Sequence, residues 1–211
     1  AMEFRDLFAA APLPGTEPPI AALFVERWGV LLKRPEAGYL PQLDGSDFVP
    51  GAIEALLRAH EAGWLIYLMG NESAVAYGRQ SDSAWTRFES DLIERLERSG
   101  IQITRNYACL DDPAGKAPHE KESVFFLPNT GTLYHAAQHD SVRLPESWIV
   151  SDDVNTLAAG WRAGCRLARI QTRGASPEST HLTVDPHAES IDLARCYAGL
   201  TLSGNAERRV A

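Results

Sequence analysis

The sequence lacks several features that would place the chain in specialised protein classes. No apolar run approaches the roughly 18 residues that a membrane span requires. Cysteine is scarce, and the three residues, Cys109, Cys165 and Cys196, are odd in number and far apart. This favours reduced thiols over a disulfide framework. Basic charge is also in deficit, with a formal net charge of −8, which argues against nucleic acid or an anionic membrane as the partner. We therefore expect neither partner, and a cytoplasmic location.

The N-terminal segment does not have the pattern of a signal peptide. No basic stretch precedes an unbroken apolar run, because Pro12 and Pro14 interrupt the sequence there. The ordinary balance of 45% hydrophobic and 23% charged residues predicts a globular protein with a well-filled core. We predict an extended segment over residues 1–18, a single domain over 19–202 and a frayed tail over 203–211.

Short apolar runs alternate with amphipathic segments along the chain. The runs at 20–25 and 64–69 are typical of strands that are buried on both faces. Helices are predicted at 51–62 and 83–98, where apolar residues recur at helical spacing and a glycine follows the last turn. Further strands are predicted at 101–108, 148–150, 166–170 and 181–184, and further helices at 131–138, 154–163 and 189–200. This alternation predicts a three-layer α/β/α sandwich with a mainly parallel, Rossmann-like sheet and no large cap.

The candidate site lies at the carboxyl ends of the strands, where parallel sheets bind their ligands. Glu26 follows the first strand, Gly70 and Asn71 follow the second, and Asp152 with Asp153 follows the fourth. Carboxylates that converge repel each other, and a divalent cation is the usual remedy. The simpler interpretation is that Glu26 pairs with Arg27 or another base, and that one of the two aspartates caps the next helix.

Six segments in order resemble the landmarks of haloacid-dehalogenase (HAD)-type phosphatases, nearest the capless branch of heptose bisphosphate and histidinol phosphate phosphatases. The resemblance runs from about residue 19 to residue 173. The segments are residues 24–30, 48–51, 71–73, 107–109, 128–133 and 149–152. The resemblance implies a HAD-type fold, a phosphomonoester substrate and a cleft that holds magnesium.

The resemblance also implies residue roles, and most of the matching positions hold a different residue. The family motif D-x-D-G-T supplies a nucleophile and a general acid, at positions where this chain has Glu26 and Trp28. The hydroxyl that binds phosphate is replaced by Gly70, although Asn71 is kept. The lysine that neutralises the phosphate is replaced by Leu127. Asp152 keeps one magnesium position, so Asp152 and Glu26 are the candidate ligands of a weak or absent magnesium ion.

Two further metal positions of the family are also depleted. The second acidic position after the fourth strand falls on Asn155 or Thr156. The family's structural zinc uses C-x-H and a later C-x-C, of which this chain keeps only Cys109, in Cys109-Leu110-Asp111. Because a zinc site needs about four ligands, we expect no zinc. We expect no other cofactor either, with magnesium needed only if residual activity exists.

These replacements favour a catalytically inactive pseudophosphatase that binds a protein partner or a phosphorylated small molecule. Loss of a general acid costs about 10²–10⁴ in rate, and loss of a charge stabiliser about 10²–10³. The alternative is a slow or altered magnesium-dependent phosphatase that acts on a sugar phosphate or similar phosphomonoester through Glu26. Trp28 either fills the old pocket, which we favour, or offers a face on which a ligand ring stacks.

The remaining polar residues have simpler interpretations than catalysis. We expect Ser73 to cap a helix and Cys109 to be a small buried residue. The histidines at 119, 135, 139, 181 and 187 are expected on the surface or in satisfied core positions.

Overall fold

The computed structural model describes residues 20–170, and within this range it contains a five-stranded parallel sheet. The spatial order of the strands is β3-β2-β1-β4-β5, so that β1 lies at the centre. The strands are β1 (Ala22–Glu26), β2 (Leu65–Asn71), β3 (Arg105–Cys109), β4 (Trp148–Ser151) and β5 (Arg166–Arg169). The helices are α1 (Ala52–Glu61), α2 (Ser73–Ala76), α3 (Asp82–Arg98), α4 (Gly131–Asp140) and α5 (Val154–Arg162). Two 3₁₀ turns lie at Gly45–Asp47 and Leu144–Glu146.

Two apolar cores cover the opposite faces of the sheet. Alternate side chains of β1, such as Leu23 and Val25, join the first core together with residues of α1 and α3. Phe24, between them, joins the second core with residues of α4 and α5. Because successive side chains of a strand point to opposite faces, a strand covered on both faces must be apolar throughout. The structure is therefore a three-layer α/β/α sandwich, as the alternation of elements predicts.

Most elements lie where the sequence pattern predicts them, with shifts of one to a few residues at their ends. In α3 all four residues of the predicted apolar stripe are buried, namely Trp85, Phe88, Leu92 and Leu96. The largest shift is in β3, which begins at Arg105 rather than at residue 101. The predicted strand at 181–184, the helix at 189–200, and the segments 1–18 and 203–211 lie outside the described residues. No helix of the described part has the length and apolar character to cross a membrane.

The expectation that Ser73 caps a helix is wrong. Ser73 is the first residue of α2, the N-cap position belongs to Glu72, and no side chain caps this helix. Glu72 instead directs its carboxylate to Arg27 and Trp28. The short helix α2 therefore begins without a capping hydrogen bond, because the residue at its N-cap is used in the interior.

Candidate functional site

The carboxyl ends of β1, β2 and β4 meet at one edge of the sheet. Glu26 is in register with Met69 of β2, and Val25 is in register with Val150 of β4. Gly70 and Asn71 therefore lie on one side of Glu26, and Asp152 lies on the other. The strand ends that carry these residues therefore adjoin, as predicted, with Glu26 in the middle.

Glu26 is buried and bonded to the neighbouring strand. Its side chain is 9% exposed, and one carboxylate oxygen accepts a hydrogen bond from the Ser151 hydroxyl. Burial raises the pKa of Glu26 to about 7, with a smaller contribution from the negative charge of Asp153. A carboxyl group with this pKa is partly protonated at neutral pH and is a poorer nucleophile than an ionised one.

Asp152 packs against the glycine that the family motif retains. Gly29 has a φ of +90°, and a Cβ at this position would lie 2.6 Å from a carboxylate oxygen of Asp152. Only glycine fits such a position, on both conformational and steric grounds. Asp152 also contacts Arg34, whose Nη2 lies 2.5 Å from Oδ1 of Asp152 and 4.0 Å from Oε1 of Glu26. Arg34 is thus the base that stands beside Glu26.

Arg27 does not pair with Glu26, so that part of the sequence interpretation is wrong. Its side chain is fully buried, and its Nε and Nη2 donate to Oε1 of Glu72 at 2.7 and 2.5 Å. Asn106 accepts a further hydrogen bond from Nη1, and the guanidinium lies 5.1 Å from the centre of the Trp85 ring. The separation has a simple cause, because neighbouring residues at a strand end face opposite sides of the sheet.

Trp28 is held on both its polar and its apolar side. Its indole Nε1 donates to the two carboxylate oxygens of Glu72 at 3.0 and 3.2 Å. Its ring is stacked on Phe88 of α3, with centroids 5.6 Å apart and planes 18° from parallel. These contacts favour the interpretation in which Trp28 fills space over the one in which it awaits a ligand ring. An indole also has no group that could protonate a leaving oxygen.

Leu127 replaces a charged group with a buried apolar one. Its side chain is 4% exposed and belongs to the second core. Asn71 fixes this segment, because its Nδ2 donates to the carbonyl of Leu127 at 3.1 Å and its Oδ1 accepts from the Leu127 amide at 2.9 Å. The retained asparagine thus ties β2 to the loop before α4. Gly70 cannot supply a hydroxyl, and a Cβ there would lie 3.3 Å from Nη2 of Arg27.

The loop after β3 is held by a histidine. Cys109 is buried, and its thiol donates to the carbonyl of Asp111 at 3.3 Å. His119 lies between two carboxylates, with Nδ1 2.9 Å from Asp111 and Nε2 2.9 Å from Asp82 at the start of α3. These two hydrogen bonds raise the pKa of His119, the larger contribution coming from Asp111.

Acidic side chains are sparse at the magnesium positions that the resemblance implies. No group of three or more His, Cys, Asp or Glu side chains within 20–170 is arranged to hold a metal ion. At the later acidic position of the family, Asn155 is exposed and Thr156 is buried with an unbonded hydroxyl. Asp153 caps α5 by accepting from the amides of Asn155 and Thr156 at 2.8 and 3.3 Å. The expectation that one of the two aspartates caps this helix is therefore confirmed.

Four side chains near these residues were given no role by the sequence patterns, although Glu72 and Ser151 lie in the segments that resemble the family. Ser151, Arg34, Glu72 and Asn106 each bond to a residue of the first motif. Their partners lie between 8 and 125 positions away in the chain, as in Arg34 with Glu26 and Ser151 with Glu26. The apolar run before Glu26 indicates that the charged residues after it need partners, because a charged residue directly after a buried strand requires one. It does not identify those partners.

Comparison with known proteins supports the family resemblance. The chain is 31% identical to the D-glycero-D-manno-heptose-1,7-bisphosphate 7-phosphatase of Thermosynechococcus vestitus over 159 residues, which are 73% of this chain and 80% of the relative. It is 26% identical to the corresponding β-anomer 7-phosphatase of Haemophilus influenzae over 146 residues, which are 69% of this chain and 78% of the relative. No family model matches the chain.

A solved structure shares the fold. The D,D-heptose 1,7-bisphosphate phosphatase of B. bronchiseptica, in complex with magnesium and phosphate, superimposes with a TM-score of 0.67 at 22% identity. The superposition covers 87% of this chain and 99% of that one. At this identity the match establishes the fold alone. The magnesium and phosphate belong to the B. bronchiseptica structure.

Proposed function

The chain belongs to the heptose bisphosphate phosphatase family of HAD-like proteins, and we propose that it binds a phosphorylated small molecule without turning it over at an appreciable rate. One observation carries this proposal. The residues at the nucleophile, acid, hydroxyl and lysine positions are Glu26, Trp28, Gly70 and Leu127, and the structure engages three of them internally. Glu26 bonds to Ser151, Trp28 bonds to Glu72, and Leu127 is packed in the core.

In the proposed function, this arrangement lacks a general acid, a phosphate-binding hydroxyl and a lysine, and it places the carboxylate of Glu26 differently from that of an aspartate. A nucleophilic carboxylate must reach the phosphorus in line with the leaving oxygen, and a misplacement of about 1 Å can cost roughly 10²-fold. Glu26 is one methylene longer than aspartate and is held by Ser151. Phosphate monoester hydrolysis requires one of the largest accelerations known, so that a site without acid and cation is expected to be nearly silent.

A second function is favoured by the comparisons, which on their own point to an active phosphatase. The relatives named above are phosphatases, and nothing in these likenesses indicates lost activity. Glu26 and Asp152 still lie at adjacent strand ends, close to the same guanidinium. In this alternative the chain is a slow or altered phosphatase of a sugar phosphate or similar phosphomonoester, with Glu26 as its carboxylate and magnesium as its cation. It requires Arg34 to leave Asp152.

Binding and turnover can be measured in the same samples. The protein is titrated calorimetrically with inorganic phosphate and with a panel of hexose and heptose phosphates, and free phosphate is then assayed in the mixture. We expect saturable binding of a phosphorylated sugar without release of phosphate above the blank. Release of phosphate would favour the second function. The absence of any binding would exclude the small-molecule ligand and favour a protein partner.

A further inference from the structure

A guanidinium lies between the two carboxylates that resemble magnesium ligands. Nη2 of Arg34 is 2.5 Å from Asp152 and 4.0 Å from Glu26, on the side of β1 that faces β4. Two ionised carboxylates that converge repel each other, and a positive charge between them relieves this repulsion. In this chain a side chain supplies that charge.

The loop after β1 determines where this guanidinium lies. The amide of Leu32 donates to the carbonyl of Arg27 at 2.9 Å, and the amide of Val49 donates to the carbonyl of Leu31 at 2.9 Å. Leu31 and Leu32 are fully buried in the first core. The chain is therefore anchored two residues before Arg34, which limits where the side chain can reach.

The ion pair between Arg34 and Asp152 contributes little to the stability of the fold. The Arg34 side chain is 50% exposed, so solvent screens the pair and its contribution to stability is small. Its effect on a metal ion is larger, because magnesium demands near-ideal octahedral geometry from free oxygen ligands. The Asp152 oxygen that bonds to Arg34 and the Glu26 oxygen that bonds to Ser151 are both engaged within the protein.

We propose that the guanidinium of Arg34 takes the place of a divalent cation in this cleft, so that Glu26 and Asp152 form a cation site only when Arg34 is removed. The inference rests on the proposed function only in that both concern the same end of the sheet. It accounts for the poor fit of the described residues to magnesium. It also predicts that Glu26 and Asp152 lie close enough together to bind a cation once the Arg34 side chain is removed.

The experiment is a titration with Mn²⁺, followed by the electron paramagnetic resonance signal of the free ion and repeated with Mg²⁺ as competitor. Arg34→Gln removes the proposed internal cation. Lys33→Gln is the matched control, because it removes the same charge from the neighbouring residue. The Lys33 side chain does not contact the two carboxylates in this way and donates instead to the carbonyl of Ser46 at 2.8 Å. Both side chains are exposed, so both variants are expected to fold.

We expect Arg34→Gln to bind one Mn²⁺ at least about tenfold more tightly than Lys33→Gln, a difference of about 1.4 kcal/mol. The double variant Arg34→Gln with Asp152→Asn should lose this gain, which would locate the ion. The inference is overturned if the unsubstituted protein binds Mn²⁺ as tightly as Arg34→Gln, or if Arg34→Gln gains nothing over Lys33→Gln. Because the readout is metal binding and not turnover, neither result depends on whether the protein hydrolyses or binds a phosphorylated ligand.

Discussion

At the scale of single residues, the pair of Arg27 and Glu72 is an ion pair buried on both sides. The two side chains are 0% and 4% exposed, so neither charge is screened by solvent. Removing one partner of such a pair leaves an uncompensated buried charge and typically costs about 3–5 kcal/mol. We predict that Glu72→Ala lowers the free energy of unfolding by about this amount, as measured by urea denaturation.

An exposed pair provides the comparison for this prediction. Glu94 bonds to Arg98 one turn later on α3, with side chains that are 57% and 74% exposed. Glu94→Ala is expected to change stability by no more than about 0.5 kcal/mol. Replacing Arg27 and Glu72 together by methionine should recover much of the loss, since a buried pair can often be exchanged for apolar residues. Equal effects of Glu72→Ala and Glu94→Ala would show that the Arg27 charge is compensated elsewhere.

Which residues the sequence could identify depended on whether their position in the chain carries the information. Glu26 and Asp152 were found because each directly follows a buried apolar strand. Arg27 was missed as a buried residue, because its partners Glu72 and Asn106 are 45 and 79 positions away. Such pairings become visible only when the strand order is known. Arg34 was missed for the same reason, being 118 positions from Asp152.

At the scale of elements, His119 ties the loop after β3 to the start of α3. Its two nitrogens lie 2.9 Å from Asp111 and 2.9 Å from Asp82. The carboxylates raise the pKa of His119 in the folded protein above its unfolded value near 6.5. This contribution to stability is therefore complete below pH 6.5 and is lost as pH rises through the folded pKa.

The pH dependence of this clamp can be isolated by comparing the protein with His119→Gln. We predict that the protein is more stable than the variant at pH 6, and that the difference shrinks as pH rises above the folded pKa of His119. The measurement is the midpoint of urea unfolding at a series of pH values between 6 and 9. A difference between the two proteins that stays constant across this range would mean that His119 is not charged in the fold.

Strands and helices could be predicted largely because both sheet faces are covered. Runs such as Leu23, Phe24 and Val25 are apolar throughout only when both sides are buried. The sequence pattern places the start of β3 too early, because Ile101 is buried beyond the end of α3 without belonging to a strand. In the central strands the buried residues are also the residues that pair with neighbouring strands. At an edge strand such as β3, a residue can be buried without being paired.

At the scale of the whole molecule, the chain shares the fold of its phosphatase relatives, while residues at the carboxyl ends of its strands bond to one another. Three positions are engaged by neighbouring side chains, because Ser151 bonds to Glu26, Glu72 bonds to Trp28 and Leu127 packs in the second core. Replacing polar functional groups by satisfied or apolar ones generally stabilises a fold at the expense of activity. The family relationship and the depleted site are therefore compatible.

Restoring the first motif alone should not restore catalysis. We predict that the double variant Glu26→Asp with Trp28→Asp shows no magnesium-dependent phosphatase activity, because Leu127 and Gly70 still leave the phosphate without its cation and its hydroxyl. Groups that act as a unit do not recover activity one at a time. A phosphate-release assay with the double variant tests this, and turnover at the rate of an active relative would show that the first motif suffices.

The most direct test of the account is the turnover of a phosphomonoester panel by the unsubstituted protein in magnesium, set against Glu26→Gln. Glutamine removes the carboxylate but keeps the size of the side chain and a bond to Ser151. If the cleft is silent, both proteins release phosphate at the same rate as the blank, for every sugar phosphate in the panel. Turnover by the unsubstituted protein that Glu26→Gln abolishes would contradict the account and establish a phosphatase that uses Glu26.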